Sequence, residues 1–408
     1  MDNNKSWIDQ RFPLTKVWNE HLAEYYTPRN FNFWYFFGSL AILVLVIQLI
    51  TGIFLTMHYK PEASLAFNSV EFIMRDVDWG WLIRYMHSTG ASAFFVVIYL
   101  HMYRALIYGS YKAPRELIWI IGMIIYIALM AEAFMGYVLP WGQMSYWGAQ
   151  VIISLFGSVP IIGQDLLIWI LGDYTVGDAA LNRFFSLHVV ALPLILVFLV
   201  FIHIVALHTV GSNNPDGINI KENKDKEGIP KDGIPFHPYY TVKDVVGVVV
   251  FLMAFASVIF FAPALNGYFL EHANFVEANP IKTPEHIAPL WYLTPYYSVL
   301  RAIPPMFGSQ FPGVLAMFAA LLIFLALPWL DRSKVKSIRY RSLPYKIALG
   351  IFVVSFVWLG YLGMQPVTPM NAILARVFTA TYFGFFILMP WFTSIGQTKP
   401  VPERVTGA

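Results

Sequence analysis

The chain has 408 residues, of which 58% are hydrophobic and only 12% are charged. A soluble domain carries about twice that charged fraction, so the composition excludes an ordinary soluble enzyme and indicates a polytopic membrane protein. The net charge of +3 gives no sign of a nucleic-acid partner, and the lack of cysteine excludes disulfides, thiolate-held iron–sulfur clusters and thioether-attached haem.

Residues 1–32 mix polar and aromatic side chains and have no apolar core followed by a cleavage site. They predict a retained amphipathic segment in the membrane interface, not a signal peptide. Eight apolar runs then follow that are long enough to cross a bilayer, which takes about 20 helical residues. We call them spans A to H, and we predict them at 33–57, 81–106, 115–138, 181–208, 244–264, 311–330, 346–364 and 374–394.

Three further apolar stretches are too short to span a bilayer and predict helices that lie in the interface. They are 142–156 and 163–171, between spans C and D, and 290–302, between spans E and F. The predicted fold is therefore all-α with eight transmembrane helices. We divide it into the N-terminal segment 1–32, a four-helix bundle 33–210, a polar connection 211–243, and a C-terminal part 244–408 that contains spans E–H.

Lysine and arginine are distributed unevenly between the two sides. Connections B–C, D–E and F–G contain fourteen of these residues when Arg104, Arg115 and Lys346 at the adjoining span ends are included, whereas A–B, C–D, E–F and G–H contain four. Because basic residues favour the cytoplasmic side, both termini are predicted to face the cytoplasm. Spans B and D then run parallel to each other, as do spans A and C.

Spans B and D each contain two histidines at similar spacing. His101 follows His87 by fourteen positions, and His203 follows His188 by fifteen. A helical segment of this length rises about 21 Å and returns close to the starting direction. The topology therefore predicts two facing pairs, with His87 and His188 at the outer level and His101 and His203 at the inner level.

Such histidines have an ordinary interpretation, since a single intramembrane histidine is often a packing residue or part of a proton path. Four histidines at matched depths on two parallel spans fit that interpretation poorly. Two facing neutral imidazoles are what bis-histidine haem ligation needs, and a four-helix bundle can provide it. The sequence therefore predicts two non-covalent b-type haems stacked inside the bundle.

Glycines in spans A and C repeat the shorter of these spacings. Gly52 follows Gly38 by fourteen positions, and Gly136 follows Gly122 by the same interval. Each could serve ordinary helix packing, but a glycine also lets a flat ligand approach the backbone. Their predicted depths match those of the histidines, so we predict that they give clearance for the two haems. The predicted partners of the haem propionates are Arg84, Arg104, Trp119 and Arg183; each arginine could equally be an interfacial side chain that reaches water.

Several long motifs resemble cytochrome b of the quinol:cytochrome c oxidoreductase, respiratory complex III. They cover nearly the whole chain and read DWGWLIRYMHSTGAS, GYVLPWGQMSYWGAQVI, RFFSLHVVALP, HTVGSNNPDG, IPFHPYYTVKD and PLWYLTPYYSVLRAIP. The photosynthetic relative divides this region over two shorter chains, so an undivided chain is similar to the respiratory form.

The resemblance implies a quinol-oxidising site on the outer side and a quinone-reducing site on the inner side. The implied outer residues are Phe134, Tyr137, Gly148, Pro289, Trp291, Tyr292 and Tyr297. The implied inner residues are His208, Ser212, Lys243 and Asp244. Without the resemblance, the outer set would be interpreted as an interfacial aromatic belt, and Lys243–Asp244 as the end of a span.

Two features depart from the family pattern. The family usually has glutamate where this chain has Leu290, and that glutamate is thought to accept a quinol proton. We predict that Glu285 replaces it, with His286 next, although a solvated loop carboxylate is an equal alternative. The second departure is the interval of fifteen between the span D histidines, where the respiratory family commonly has fourteen. The extra residue is predicted between His188 and Pro193, where a bulge would absorb it.

The predicted function is therefore the cytochrome b of a bacterial bc-type complex in the inner membrane. Implied partners are a Rieske-type iron–sulfur protein and cytochrome c1, and the family implies a homodimer. Two alternatives are a secondary transporter with proton-relaying histidines and the dihaem membrane anchor of a quinone-linked dehydrogenase. An absorption spectrum with haem bands would exclude the transporter. Dihaem membrane anchors usually lack the long aromatic outer loops of this chain.

Overall fold

A computed structural model describes residues 6–306 and 308–407. It contains eight helices that are long and apolar enough to cross a membrane, which confirms all eight predicted spans. Spans A to H are Phe33–Thr56, Gly80–Tyr108, Glu116–Val138, Asp178–Val210, Tyr239–Phe261, Phe311–Leu330, Leu343–Gly363 and Pro369–Ile387. A helix satisfies its own backbone hydrogen bonds, which is why apolar runs of this length adopt it in a bilayer. The first five residues of the predicted N-terminal segment lie outside the described residues.

Two spans begin about one and a half turns before their predicted starts. Span E begins at Tyr239, directly after Pro238, and span H begins at Pro369. The side chain of Thr368 caps span H by accepting a hydrogen bond from the backbone N–H of Asn371, at 3.2 Å. Hydropathy misses these first turns because their residues are more polar than the rest of the span.

Shorter elements connect the spans. The predicted interfacial helices are present as Gln143–Gly157, Gly163–Leu171 and Thr294–Ala302, the last of which starts about one turn later than predicted, with Pro295 in its first turn. The other short helices are Leu14–Trp18, Asn19–Ala23, Ala66–Arg75, Ile220–Glu222, His272–Phe275 and Met389–Phe392. Two strands, Tyr26–Pro28 and Gly233–Pro235, pair antiparallel.

The helices pack mainly as neighbouring pairs. Span A packs along span B, span C along span D, and span G along span H. The helix Thr294–Ala302 packs against spans F, G and H, so the E–F connection is anchored on the C-terminal part. Span E contacts spans A and B. The N-terminal bundle thus places the histidine-bearing spans B and D each beside a glycine-bearing span.

One face of the molecule gathers the polar connections and both chain ends. Asp216, which is 1% exposed, accepts hydrogen bonds from Asn30, Arg339 and the backbone N–H of Thr406. Burial alone would raise the pKa of Asp216, but the hydrogen bonds outweigh burial and hold the pKa below its usual value. Asn30 and Thr406 stand near opposite ends of the sequence, so these two parts of the chain meet on the face that carries connections D–E and F–G.

Candidate functional site

The two histidines predicted at the outer level face each other in the structure. The ring centroids of His87 and His188 are 6.1 Å apart, and the ring planes are nearly perpendicular, at 87°. Two imidazoles on opposite sides of one metal ion have centroids about 6 Å apart, because each metal–nitrogen bond is about 2 Å. The separation of the rings therefore fits a shared metal ion.

The two histidines predicted at the inner level share one cavity. His101 and His203 both line a cavity of about 660 Å³ inside the N-terminal bundle, together with Gly38 and Gly122. A volume of this order is typical of pockets that hold a small molecule or cofactor. The cavity is lined mainly by apolar side chains, as expected for a macrocycle in the membrane interior.

Each predicted clearance glycine faces one predicted ligand. An added Cβ would approach the ring Cε1 at the following distances: Gly38 to His101 at 3.6 Å, Gly52 to His87 at 3.2 Å, Gly122 to His203 at 3.2 Å, and Gly136 to His188 at less than 3.0 Å. A side chain at these positions would therefore occupy the space beside the ligand ring. This arrangement fits a flat group held between two spans, with clearance from the other two.

For two of these histidines, a polar group on the neighbouring span lies within hydrogen-bond distance of Nδ1. Nδ1 of His87 lies 2.9 Å from the hydroxyl of Thr51. Nδ1 of His188 lies 2.9 Å from the backbone oxygen of Glu132 and 3.0 Å from Glu132 Oε1. Sequence reasoning missed Thr51 and Glu132. Glu132 could have been selected from the sequence, because carboxyl groups inside membrane helices are rare and usually have a functional role.

The predicted propionate partners differ in their surroundings. Arg104 lines the inner cavity, and its Nε is buried without a hydrogen-bond partner among the described residues. Arg84 is partly buried in span B. Arg183 is exposed and donates to the backbone oxygen of Trp169. The Trp119 ring also lines the cavity, but its N–H donates to Phe324 O at 2.7 Å. Among these four, Arg104 therefore fits an acidic group best, and the N–H of Trp119 is already used.

The extra residue of span D lies in a π-helical turn. This turn covers Leu187–Ala191, between the α-helical segments Asp178–Ser186 and Leu192–Val210. Its position confirms the bulge predicted between His188 and Pro193. A π turn takes up one more residue than an α turn, so His188 keeps the direction that the shorter interval would give it.

The four residues predicted for the inner quinone site all line the inner cavity; they are His208, Ser212, Lys243 and Asp244. Two further residues complete this end of the cavity and were missed by the sequence analysis. Tyr25 stacks on His208 with ring centroids 4.2 Å apart, and burial raises the pKa of its hydroxyl. Arg115 donates to the backbone oxygens of Gly211 and Ser212, at 2.8 and 3.3 Å. Tyr25 belongs to the N-terminal segment, far from His208 in the sequence, so no local pattern indicated this contact.

Three of the residues predicted for the outer site line a common pocket, and the others do not line it. Gly148, Pro289 and Tyr297 line one small pocket of about 20 Å³. Tyr292 is buried and stacks on Phe95, with ring centroids 3.8 Å apart. Of the others, Phe134 packs edge-on against Phe184, Leu290 is buried, and the Trp291 N–H donates to Ser92.

A carboxyl group that the sequence analysis did not select lies next to the outer-site residues. Glu271 accepts a hydrogen bond from the hydroxyl of Tyr137 and interacts electrostatically with Tyr292. Burial raises the pKa of Glu271 to about 7, although the hydrogen bond from Tyr137 lowers it. Glu285, by contrast, is exposed, and no hydrogen bond of its side chain is found among the described residues. Glu271, and not Glu285, is therefore the carboxyl group that contacts a residue of the predicted outer site.

No group of three or more His, Asp or Glu side chains able to hold a metal ion occurs in the described part of the chain. A haem iron takes two protein ligands, fewer than such a group contains.

Two family models match the chain. Residues 22–211 match cytochrome b/b6/petB, and residues 277–383 match the C-terminal part of cytochrome b/b6/petD. Cytochrome b of Allochromatium vinosum is 64% identical over 99% of this chain and 98% of its own length. Cytochrome b/c1 of Bradyrhizobium diazoefficiens is 46% identical over 98% of this chain and 56% of its own length. A solved structure of a hyperthermophilic respiratory complex III contains a chain with a TM-score of 0.88 and 41% identity, and the match covers 96% of this chain and 98% of that one.

Proposed function

The chain belongs to the cytochrome b/b6 family, and on that premise we propose that its four intramembrane histidines hold two b-type haems. His87 and His188 would bind the outer haem, and His101 and His203 the inner one. The observation that carries this proposal is that each histidine faces a glycine on the neighbouring span. Arg104 would hold a propionate of the inner haem, since its Nε is buried and unpaired within the described residues.

The function is that of cytochrome b in a bc1-type respiratory complex, where it is a core redox subunit in the inner membrane. We propose that it oxidises quinol at the outer face and reduces quinone at the inner face. When bound, the haems supply the one-electron steps that connect the two quinone sites. The protein sets ligation, spacing and proton access.

At the outer site, we propose Glu271 as the group that accepts a quinol proton. A general base works best with a pKa near the ambient pH, and the pKa of about 7 meets this requirement. Tyr137 fixes the orientation of the carboxyl group by donating to Oε2. Leu290 leaves the usual position without a titratable group, so another group or water must accept the proton, and Glu271 is the carboxyl group that contacts Tyr137.

At the inner site, His208, Ser212, Lys243 and Asp244 would bind the quinone carbonyls and pass protons to the ring. Their convergence on the cavity that also contains His101 and His203 supports this role. Tyr25 would hold His208 by stacking on its ring. Hydrogen-bond donors and a carboxyl group at one end of a cavity are suited to proton uptake.

The partner proteins follow from the family. We propose a Rieske-type iron–sulfur protein and cytochrome c1 as partners, in a complex that is a homodimer. One electron of each quinol must leave to a high-potential group, and this cysteine-free chain cannot hold an iron–sulfur cluster by thiolates. Both termini are proposed to be cytoplasmic, because they share a face with the lysine-rich and arginine-rich connections.

A redox titration of the purified complex, followed by its visible spectrum, tests the proposed function. We expect two b-type signals that titrate at different potentials, because the outer and inner histidine pairs have different surroundings. A single b-type signal, or none, would contradict the assignment of two haems to this chain.

The glycines give a matched pair of variants. In Gly136→Ala the new Cβ would lie less than 3.0 Å from Cε1 of His188, and a ring bound to iron cannot move aside, so the outer haem should be largely lost. In Gly38→Ala the corresponding distance to His101 is 3.6 Å, which is an ordinary contact, so the inner haem should remain. Haem content per chain measures both. Equal retention in the two variants would contradict the clearance role of Gly136.

A further inference from the structure

Glu132 is the one carboxyl group in the interior of spans A–D. The other two acidic residues of these spans, Glu116 and Asp178, stand at the first positions of their helices. Burying a carboxyl group in the hydrocarbon region is strongly unfavourable unless it has a partner. The position of Glu132 therefore calls for a specific contact inside the bundle.

That contact is the proposed outer haem ligand. Glu132 Oε1 lies 3.0 Å from Nδ1 of His188, and the backbone oxygen of Glu132 lies 2.9 Å from the same nitrogen. The second carboxyl oxygen, Oε2, is buried and has no hydrogen-bond partner among the described residues. Among the described residues, His188 is therefore the partner of the Glu132 side chain.

The other proposed ligands differ at Nδ1, and that of His203 is buried without a hydrogen-bond partner among the described residues. Nδ1 of His87 faces the neutral hydroxyl of Thr51, at 2.9 Å. Nδ1 of His101 lies 3.3 Å from a guanidinium nitrogen of Arg104, which carries positive charge. A cation acts on each pair, Arg84 on His87 and Arg104 on the two inner histidines, but a carboxyl group lies only beside the outer pair among these contacts. This difference makes the electrostatic surroundings of the two pairs unequal.

We propose that Glu132 is a positioning residue that lowers the reduction potential of the outer haem through His188. Nδ1–H of His188 donates to the backbone oxygen of Glu132, which fixes the tautomer with a bare Nε2. The carboxyl oxygen Oε1, 3.0 Å from the same nitrogen, would add negative charge beside the ring and make the imidazole a stronger donor. The ferric form has one more positive charge than the ferrous form, so a more basic ligand stabilises the ferric form more. The proposal rests on the two-haem function above.

The direction of this effect has a functional meaning. When bound, the outer haem would take up one electron, and its reduction potential would depend on how strongly His188 and the neighbouring charges favour the ferric state. A lower potential at the outer pair makes transfer of that electron to the inner pair more favourable. Glu132 would therefore bias electron flow from the quinol-oxidising side to the quinone-reducing side.

The test is Glu132→Gln in the assembled complex, with the potentials of both haems measured by redox titration. Glutamine has almost the same size but carries no charge. We expect the equilibrium constant for transfer from the outer to the inner haem to fall about tenfold, which is an upward shift of about 59 mV for a one-electron step. The inner potential should not change. An unmoved outer potential with both haems bound would overturn the proposal.

Thr51→Val is the matched control, because it removes the neutral partner of the other outer ligand. Its shift should be clearly smaller than that of Glu132→Gln, and an equal shift would show that the carboxyl group has no special effect. If Glu132→Gln does not assemble, the infrared difference spectrum of the native complex decides. A carboxyl band that changes as the outer haem is reduced supports the proposal, and its absence contradicts it. Failure of the proposed function itself would appear differently, as a native complex without a haem signal from the outer pair.

Discussion

Replacement of His188 by alanine is expected to abolish binding of the outer haem while the inner haem is retained. A single imidazole, His87, would remain at the outer level, and one ligand does not hold the iron in a bis-histidine site. Haem content should fall by about half, and the outer signal should disappear from the reduced spectrum. Quinol-dependent electron transfer to the inner site should then be lost, because the path across the membrane is interrupted.

The control for this variant is His58→Ala. His58 is an exposed histidine at the end of span A that contacts the ring of Phe72, with centroids 6.1 Å apart. It lies outside both pairs, so both haems should remain. Retention of the outer signal in His188→Ala would show that another residue binds this iron.

Replacement of Glu271 by glutamine is expected to slow quinol oxidation by about 10²- to 10⁴-fold, which is the usual contribution of a general base. In the native protein the rate should rise as the pH increases through about 7, because the protonated carboxyl group cannot accept a proton. The groups that face Glu271 are Tyr137 and Tyr292, with Arg84 acting electrostatically on Tyr137. Glutamine does not titrate, so the variant should lose this part of the pH profile.

The matched control is Glu285→Gln, which alters an exposed carboxyl group in the same connection between spans E and F. Its turnover and pH profile should be close to those of the native complex. The spectra of both haems should stay unchanged in each variant, which separates lost proton transfer from lost structure. An unchanged pH profile in Glu271→Gln, or a strongly reduced turnover in Glu285→Gln, would indicate that Glu285 is the proton acceptor.

Helix periodicity explains why the membrane core could be predicted from the sequence. A helix converts residue spacing into depth at about 1.5 Å per residue, so matching intervals in spans A–D placed four histidines and four glycines at two levels. The structure brings His87 to His188 and sets each glycine against one ring. The depth and direction of a side chain on a membrane helix can thus be predicted without any knowledge of tertiary contacts.

Contacts made by loops and side-chain ends could not be predicted in this way. Glu271 lies 19 residues before Leu290 in the E–F connection, and only the folded path of that connection brings it to Tyr137. Tyr25 reaches His208 from the N-terminal segment for the same reason. The N–H of Trp119 is used by a backbone oxygen of span F, which no local pattern reveals. Such partners depend on packing between distant segments.

The π-helical turn at Leu187–Ala191 has a consequence for how this chain can change over evolution. Loss of one residue there would turn the π turn into an α turn and leave the helix on either side in register. The interval between His188 and His203 would then equal the one between His87 and His101. A single-codon insertion or deletion, which elsewhere in a membrane helix would rotate one ligand away from its partner, is absorbed at this point. Lineages can therefore differ by one residue in span D and still direct both span D histidines toward span B.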